Sequence, residues 1–212
     1  MSIYKLPVGI RLPTKEEYPS NLDFEEIDAK RSAANIVQGY KLFPVENQKY
    51  THFLEVNVDA DKIWDLFRQL VTKIKPDISY CIIGFKDDSE NDFLSDFLPT
   101  YDILELLSEY SYELTNDGYL TFGAAYYNEK ILNEIYVSSF KYLKIWTEYI
   151  NEVIKILKQF GLNENEELNF IDEFPVCSCA LIPDENNGIR HYSEVTENIK
   201  TKLKELKKCE YL

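Results

Sequence analysis

The sequence predicts an α+β protein, a mainly antiparallel sheet with helices packed against it. Three observations predict it. Short runs rich in β-branched and aromatic residues are joined by tight turns, which favours antiparallel pairing of neighbours. Between them lie longer stretches whose apolar residues recur at helical spacing, so each helix has one apolar face to bury. Hydrophobic residues make up 45% of the 212 positions and charged residues 28%, a globular rather than a disordered composition.

Residues 1–22 carry Pro7, Pro13 and Pro19, too closely spaced for a helix, and are read as an extended arm. Residues 23–212 are read as a single α+β domain without repeat, low-complexity tract or linker. A short helix is predicted from Asp23 to Ala34. Tyr50 to Val58 reads as a strand. Asp59 is placed to cap a helix running to Ile74, with Ile63, Trp64, Phe67, Leu70, Val71 and Ile74 as its stripe and Pro76 as its stop. Ile78 to Phe85 reads as a buried strand ended by the polar run Lys86–Glu90. A helix then starts near Pro99 and Thr100, with Ile103, Leu104, Leu107, Tyr110 and Leu114 inside.

Asp117-Gly118 marks a tight turn. Tyr119–Tyr127, Ile131–Val137 and Tyr142–Trp146 follow as an antiparallel meander. Thr147 is placed to cap a helix through Ile150, Val153, Ile154, Leu157 and Phe160, stopped by Gly161. Leu168–Phe174 and Val176–Ile182 read as short strands, and Asp184–Gly188 as a turn. Ser193 is placed to cap a last helix whose early glutamates and late lysines match its dipole.

Charge narrows the partners. Asp plus Glu total 37 against 23 Lys plus Arg, a formal net charge of −14. Such a field repels nucleic acid and anionic membranes and attracts basic proteins. The lysine run Lys200, Lys202, Lys204, Lys207 and Lys208 is accounted for by a solvated helix end. No stretch approaches the ~20 apolar residues of a membrane span. The N-terminus, broken by Pro7, lacks the core of a secretion signal, and four cysteines do not make a disulfide framework. The sequence therefore predicts a cytoplasmic protein with neither nucleic acid nor membrane as partner.

No catalytic constellation emerges. His52 and His191 are the two histidines, without a Gly-x-Ser-x-Gly elbow, and both read as structural. The glycines form no phosphate-binding pattern. Cys177-x-Cys179 would share a face in a strand, but zinc needs more ligands than these two thiols supply. The run Asp87–Asp92 lacks the glycine and terminal glutamate of a helix–loop–helix calcium site. No cofactor, metal or catalytic residue is predicted, and the chain is read as a non-enzyme.

The stretch from Leu114 to Trp146 carries a likeness. It runs through Asp117-Gly118 into Thr121-Phe122-Gly123, then Asn133-Glu134-Ile135-Tyr136-Val137, then Lys141-Tyr142-Leu143-Lys144-Ile145-Trp146. This resembles small cytoplasmic immunity proteins of bacterial polymorphic-toxin and contact-dependent inhibition systems. It covers about a sixth of the chain, and its Asp-Gly turn recurs in unrelated folds. The resemblance implies stoichiometric binding to a cognate toxin domain, one with a basic cleft that an acidic surface would fill. The residues nominated for that contact are Asp87, Asp88, Glu90, Asp92 and Asp96, with Phe93 and Tyr101 as exposed aromatic anchors. Glu164, Glu166 and Glu167 form a second acidic stretch. Two alternatives stay open: an enzyme acting on a small molecule or carbohydrate through a carboxylate pair, and a structural subunit of a larger assembly.

Overall fold

The β-prone runs assemble into one antiparallel sheet, and the periodic stretches become helices on one of its faces. The computed structural model describes residues 3–47, 49–74, 77–85 and 92–209. In chain order the elements are β1 (Ile10–Arg11), α1 (Phe24–Ala33), β2 (Gly39–Pro44), β3 (His52–Asn57), α2 (Ile63–Ile74), β4 (Ile78–Phe85) and β5 (Phe93–Pro99). After these come α3 (Thr100–Ser108), α4 (Ser111–Asn116), β6 (Leu120–Tyr127), β7 (Leu132–Val137), β8 (Leu143–Thr147), α5 (Ile150–Gln159), β9 (Cys177–Ser178) and α6 (Tyr192–Cys209). Seven strands form the main sheet in the order β2-β3-β8-β7-β6-β4-β5, with every pair antiparallel. The fold is α+β, and no helix among the described residues is long and apolar enough to cross a membrane.

The core lies between this sheet and the helices. Ile63, Leu66, Phe67, Leu70 and Val71 of α2 and Val153 and Leu157 of α5 are fully buried, as the periodicity requires. Phe67 meets Phe122 edge-on, with ring centroids 4.9 Å apart. Each such fully buried side chain contributes roughly 1.5–3 kcal/mol.

Several elements differ from the sequence expectation. Phe93–Pro99, read as acidic loop, is the edge strand β5, paired to β4 through an irregularity between Tyr80 and Ile82. Leu168–Phe174 and Val176–Ile182 are not strands beyond the two residues of β9, which pair with β1. Within that stretch the Glu173 carboxylate accepts the Phe170 N–H, taking a donor a ladder would use, and Asn169 reaches across to accept the N–H of Asn35. Asp59 does not cap α2. Its carboxylate accepts Lys5 N at 2.9 Å, and a 3₁₀ turn, Ala60–Lys62, starts the helix. Ser193 lies inside α6, where the His191 ring accepts its N–H, and Thr147 accepts the N–H of Tyr149 one residue ahead of α5. Pro76 and the run Lys86–Glu90 lie outside the described residues, as do the side chains of Lys208 and Cys209.

The arm packs on the domain: Tyr4 and Ile10 are buried with Ile36 and Ile171. A tight turn between β7 and β8 holds Lys141 at φ 62°, fully buried, its ammonium donating to Leu114 O at 2.8 Å and to Leu120 O.

Candidate protein-binding face

The nominated residues that are described, Asp92, Phe93, Asp96 and Tyr101, do not form one patch. Asp87, Asp88 and Glu90 lie outside the described residues. Asp96 is paired with Lys207 of α6 at 2.7 Å, so its charge is already compensated. Phe93 is half-buried against the helix-side core, with the Lys200 and Lys204 ammoniums over its ring, and is not an exposed anchor. Tyr101 is exposed at the start of α3, at 71%. Glu164, Glu166 and Glu167 are exposed near β2, at the opposite edge of the sheet from β5. Asp92 turns elsewhere, onto the sheet.

Strand alternation explains where it goes. Cys81, Ile83, Phe122, Ala124, Ile135, Leu143 and Ile145 face the helices, so the residues between them face away. On that second face the register aligns one residue from every strand. Phe97 and Tyr80 pair on β5 and β4, Ala125 and Glu134 on β6 and β7, and Trp146, Phe53 and Phe43 on β8, β3 and β2. The rings form two groups. Tyr80 meets Phe97 at 5.4 Å and Tyr127 at 5.3 Å, while Phe53 meets Phe43 at 5.5 Å and Trp146 at 4.9 Å. Tyr80 and Tyr136 close over the small, fully buried Ala125.

Glu134 stands between the groups. No described residue donates a hydrogen bond to its carboxylate or forms an ion pair with it, and Lys144 on the next strand pairs with Glu55 instead. Asp92 adds a second charge. Gly84 has no side chain, so the Asp92 carboxylate lies over it, accepting from Thr121 Oγ1 at 3.1 Å and from the Tyr136 hydroxyl at 3.0 Å. Burial, and then the Asp92 charge, push the Glu134 carboxyl up to about 6. Burial likewise pushes the Tyr136 hydroxyl up to about 12. Reasoning along the chain missed Glu134. Its only local signal was a carboxylate in a strand of otherwise β-prone residues.

Cavities lie elsewhere. One of about 360 Å³ separates α3 from α6 at Asp102, Glu105 and Lys202, and one of about 510 Å³ surrounds Arg190 and Tyr112. Neither includes Glu134. Cys177 and Cys179 are half-buried, and no group of three or more His, Cys, Asp or Glu among the described residues is placed to hold a metal ion. His52 meets Thr51 Oγ1 at 2.8 Å and His191 meets Ser193 Oγ at 2.7 Å, both local contacts. No protein-family model matches the chain, and neither does any curated protein or solved structure.

An unpaired, partly covered carboxylate costs the fold. Its folded-state value lies above the ordinary glutamate value of 4.5, so ionisation is harder in the folded state. The cost is absent below the unfolded value, grows as pH rises, and is complete above about 6. Glu134→Gln is therefore expected to match the wild type in stability at pH 4. At pH 7.5 it should exceed it by about 1–2 kcal/mol. Urea denaturation at the two pH values checks this, and an equal shift at both would refute it.

Proposed function

We propose that this chain is an immunity protein that binds a cognate bacterial toxin domain, basic in its contact surface, and neutralises it by occlusion. The observation that carries the binding part is the Glu134 carboxylate, without a partner among the described residues, set among aromatic rings beside Asp92 on the sheet face away from the helices. Groups that lower stability without a structural return mark sites of function. Aromatic rings are enriched at interface centres, and a partly desolvated carboxylate beside them gives a basic partner a charge to pair with. The net charge of −14 supports a basic partner and fast, steered association. The toxin assignment is supported by the Leu114–Trp146 resemblance.

Reading the neighbouring genes for a toxin-like domain encoded immediately upstream, and co-expressing the chain with it, tests this. Immunity requires restored growth and a stoichiometric complex. Growth arrest that the chain does not relieve, or an isolated metabolic gene neighbourhood, overturns the reading. For that complex, replacing Asp87, Asp88, Glu90 and Asp92 with Asn or Gln should slow association roughly tenfold at low salt and flatten its salt dependence. Unchanged association in stopped-flow mixing would make the run ordinary solvated surface.

A second reading, an enzyme acting on a small molecule or carbohydrate, has one observation in its favour. Glu134 is pushed up to about 6, the direction in which a carboxyl becomes useful for acid–base chemistry near neutral pH. Against it, both Asp92 oxygens are engaged by Thr121 and Tyr136, and the cavities described above lie away from the pair.

A further inference from the structure

We propose that Glu134, flanked by Tyr136 and Trp146, receives one arginine side chain of the protein partner, its guanidinium paired with the carboxylate and stacked on those rings. This rests on the partner-binding reading and names the chemistry that the partner must present.

The polar inventory of the face selects the ligand. Of the donors around Glu134, the Tyr136 hydroxyl is already given to Asp92, while the Tyr80 hydroxyl and the Trp146 indole N–H also stand on this face. The Glu134 carboxylate itself offers only acceptors and negative potential. A nucleotide brings phosphates that Glu134, Asp92 and the net charge of −14 repel. A guanidinium has five donors and no acceptor, so it matches without leaving a group unpaired.

The surroundings favour arginine over lysine. A guanidinium is planar, stacks on aromatic faces and pairs two-pronged with a carboxylate, and it is less strongly hydrated than an ammonium. The Glu134 carboxylate is already partly stripped of water by its neighbours, so less desolvation remains to be met on binding. Trp146 continues into Phe53 and Phe43, giving the residues beside the arginine an apolar bed. β4 and β8, which flank the Ala125–Glu134 pair, are three strand spacings apart, ~14 Å, wide enough for one guanidinium between their rings.

The chain has two tryptophans, one on this face and one, Trp64, packed against the helix-side core. Their two indole N–H signals in a ¹⁵N-labelled sample therefore report separately. The probe is the blocked pentapeptide Ser-Val-Arg-Val-Ser, with a citrulline version that keeps its shape and loses the charge. The expected result is a saturable shift of the Trp146 signal alone. Affinity should fall at least tenfold both for the citrulline peptide and for the arginine peptide on Glu134→Gln. The proposal is overturned if the citrulline peptide or Glu134→Gln binds as well as the parent pair. It is equally overturned if Trp146 does not respond, or if Trp64 shifts with it. Toxin co-expression separates the two levels. Growth rescue that survives Glu134→Gln, with no arginine binding, removes the arginine site and leaves immunity standing. Arginine binding without any rescue does the reverse.

Discussion

Gly9→Ala is expected to unseat the N-terminal arm, with a loss of about 3 kcal/mol or more. The reason is space. Three backbone segments cross at this point: the arm, the turn between α4 and β6, and β9 with the residue after it. Gly9 N donates to Asn116 O at 2.7 Å, Cys179 N to Gly9 O at 2.8 Å, and Gly118 N to Cys179 O at 2.9 Å. A Cβ on Gly9 would meet Gly118 N, and would lie 2.5 Å from Cys179 O and 2.6 Å from Asn116 O. All three are backbone atoms, so no side chain can swing aside. Parting the segments breaks the hydrogen bonds that join them and uncovers Tyr4, Ile10, Ile36 and Ile171. Val8→Ala, one residue away at a side chain 66% exposed, should change stability by less than about 0.5 kcal/mol. Urea denaturation and hydrogen exchange at the Cys179 amide measure both effects. Wild-type stability in Gly9→Ala would show that the crossing is looser than drawn.

What the sequence made legible was local. Ile78–Phe85 is a continuous β-prone run and is a strand over those residues, and the stripe of α2 and the 120–147 meander sit in their own patterns. β5 was hidden because Ser95 and Asp96 interrupt its alternation. Edge position tolerates that, since one side of the strand meets solvent. Leu168–Ile182 has strand-like composition, yet Glu173 takes the backbone N–H of Phe170 and Asn169 that of the distant Asn35, and that outcome depends on which partners lie nearby.

The candidate face was less legible still. Phe43, Phe53, Tyr80, Phe97, Glu134 and Trp146 stand in six separate strands, and a one-residue slip in any register would send that strand's member to the other face. A single chain read from end to end contains the members but not the registers that align them. Asp92 was nominated for its place in an acidic run, whereas its role on the face depends on a glycine at 84 and a tyrosine at 136.

Lys141→Met is the other substitution with a large expected effect, and its size should depend on pH. Lys141 is fully buried and its backbone is left-handed, a conformation L residues rarely adopt. Its Nζ donates to Leu114 O, in the last turn of α4, and to Leu120 O, at the start of β6, so one side chain joins a helix end to the sheet. Methionine fills similar volume but donates nothing, leaving both carbonyls without this donor. Burial pulls the ammonium down to about 7, with Asp117 opposing the shift. Below that value lysine is charged in both folded and unfolded states, and the folded state bears the full cost of burying the charge. Between about 7 and the ordinary lysine value of 10.5 the folded protein carries the neutral amine while the unfolded chain remains charged. Across that window the unfolded state binds more protons, so wild-type stability rises with pH relative to Lys141→Met, by up to about 1.4 kcal/mol per pH unit. The neutral amine still donates to both carbonyls. The variant should therefore lose about 2–4 kcal/mol at pH 9 and markedly less at pH 6. Parallel urea denaturation of the two proteins at these pH values gives the difference directly. A loss that is the same at both would place the proton on Lys141 throughout, and the link between α4 and β6 would then be a permanent ammonium rather than an amine.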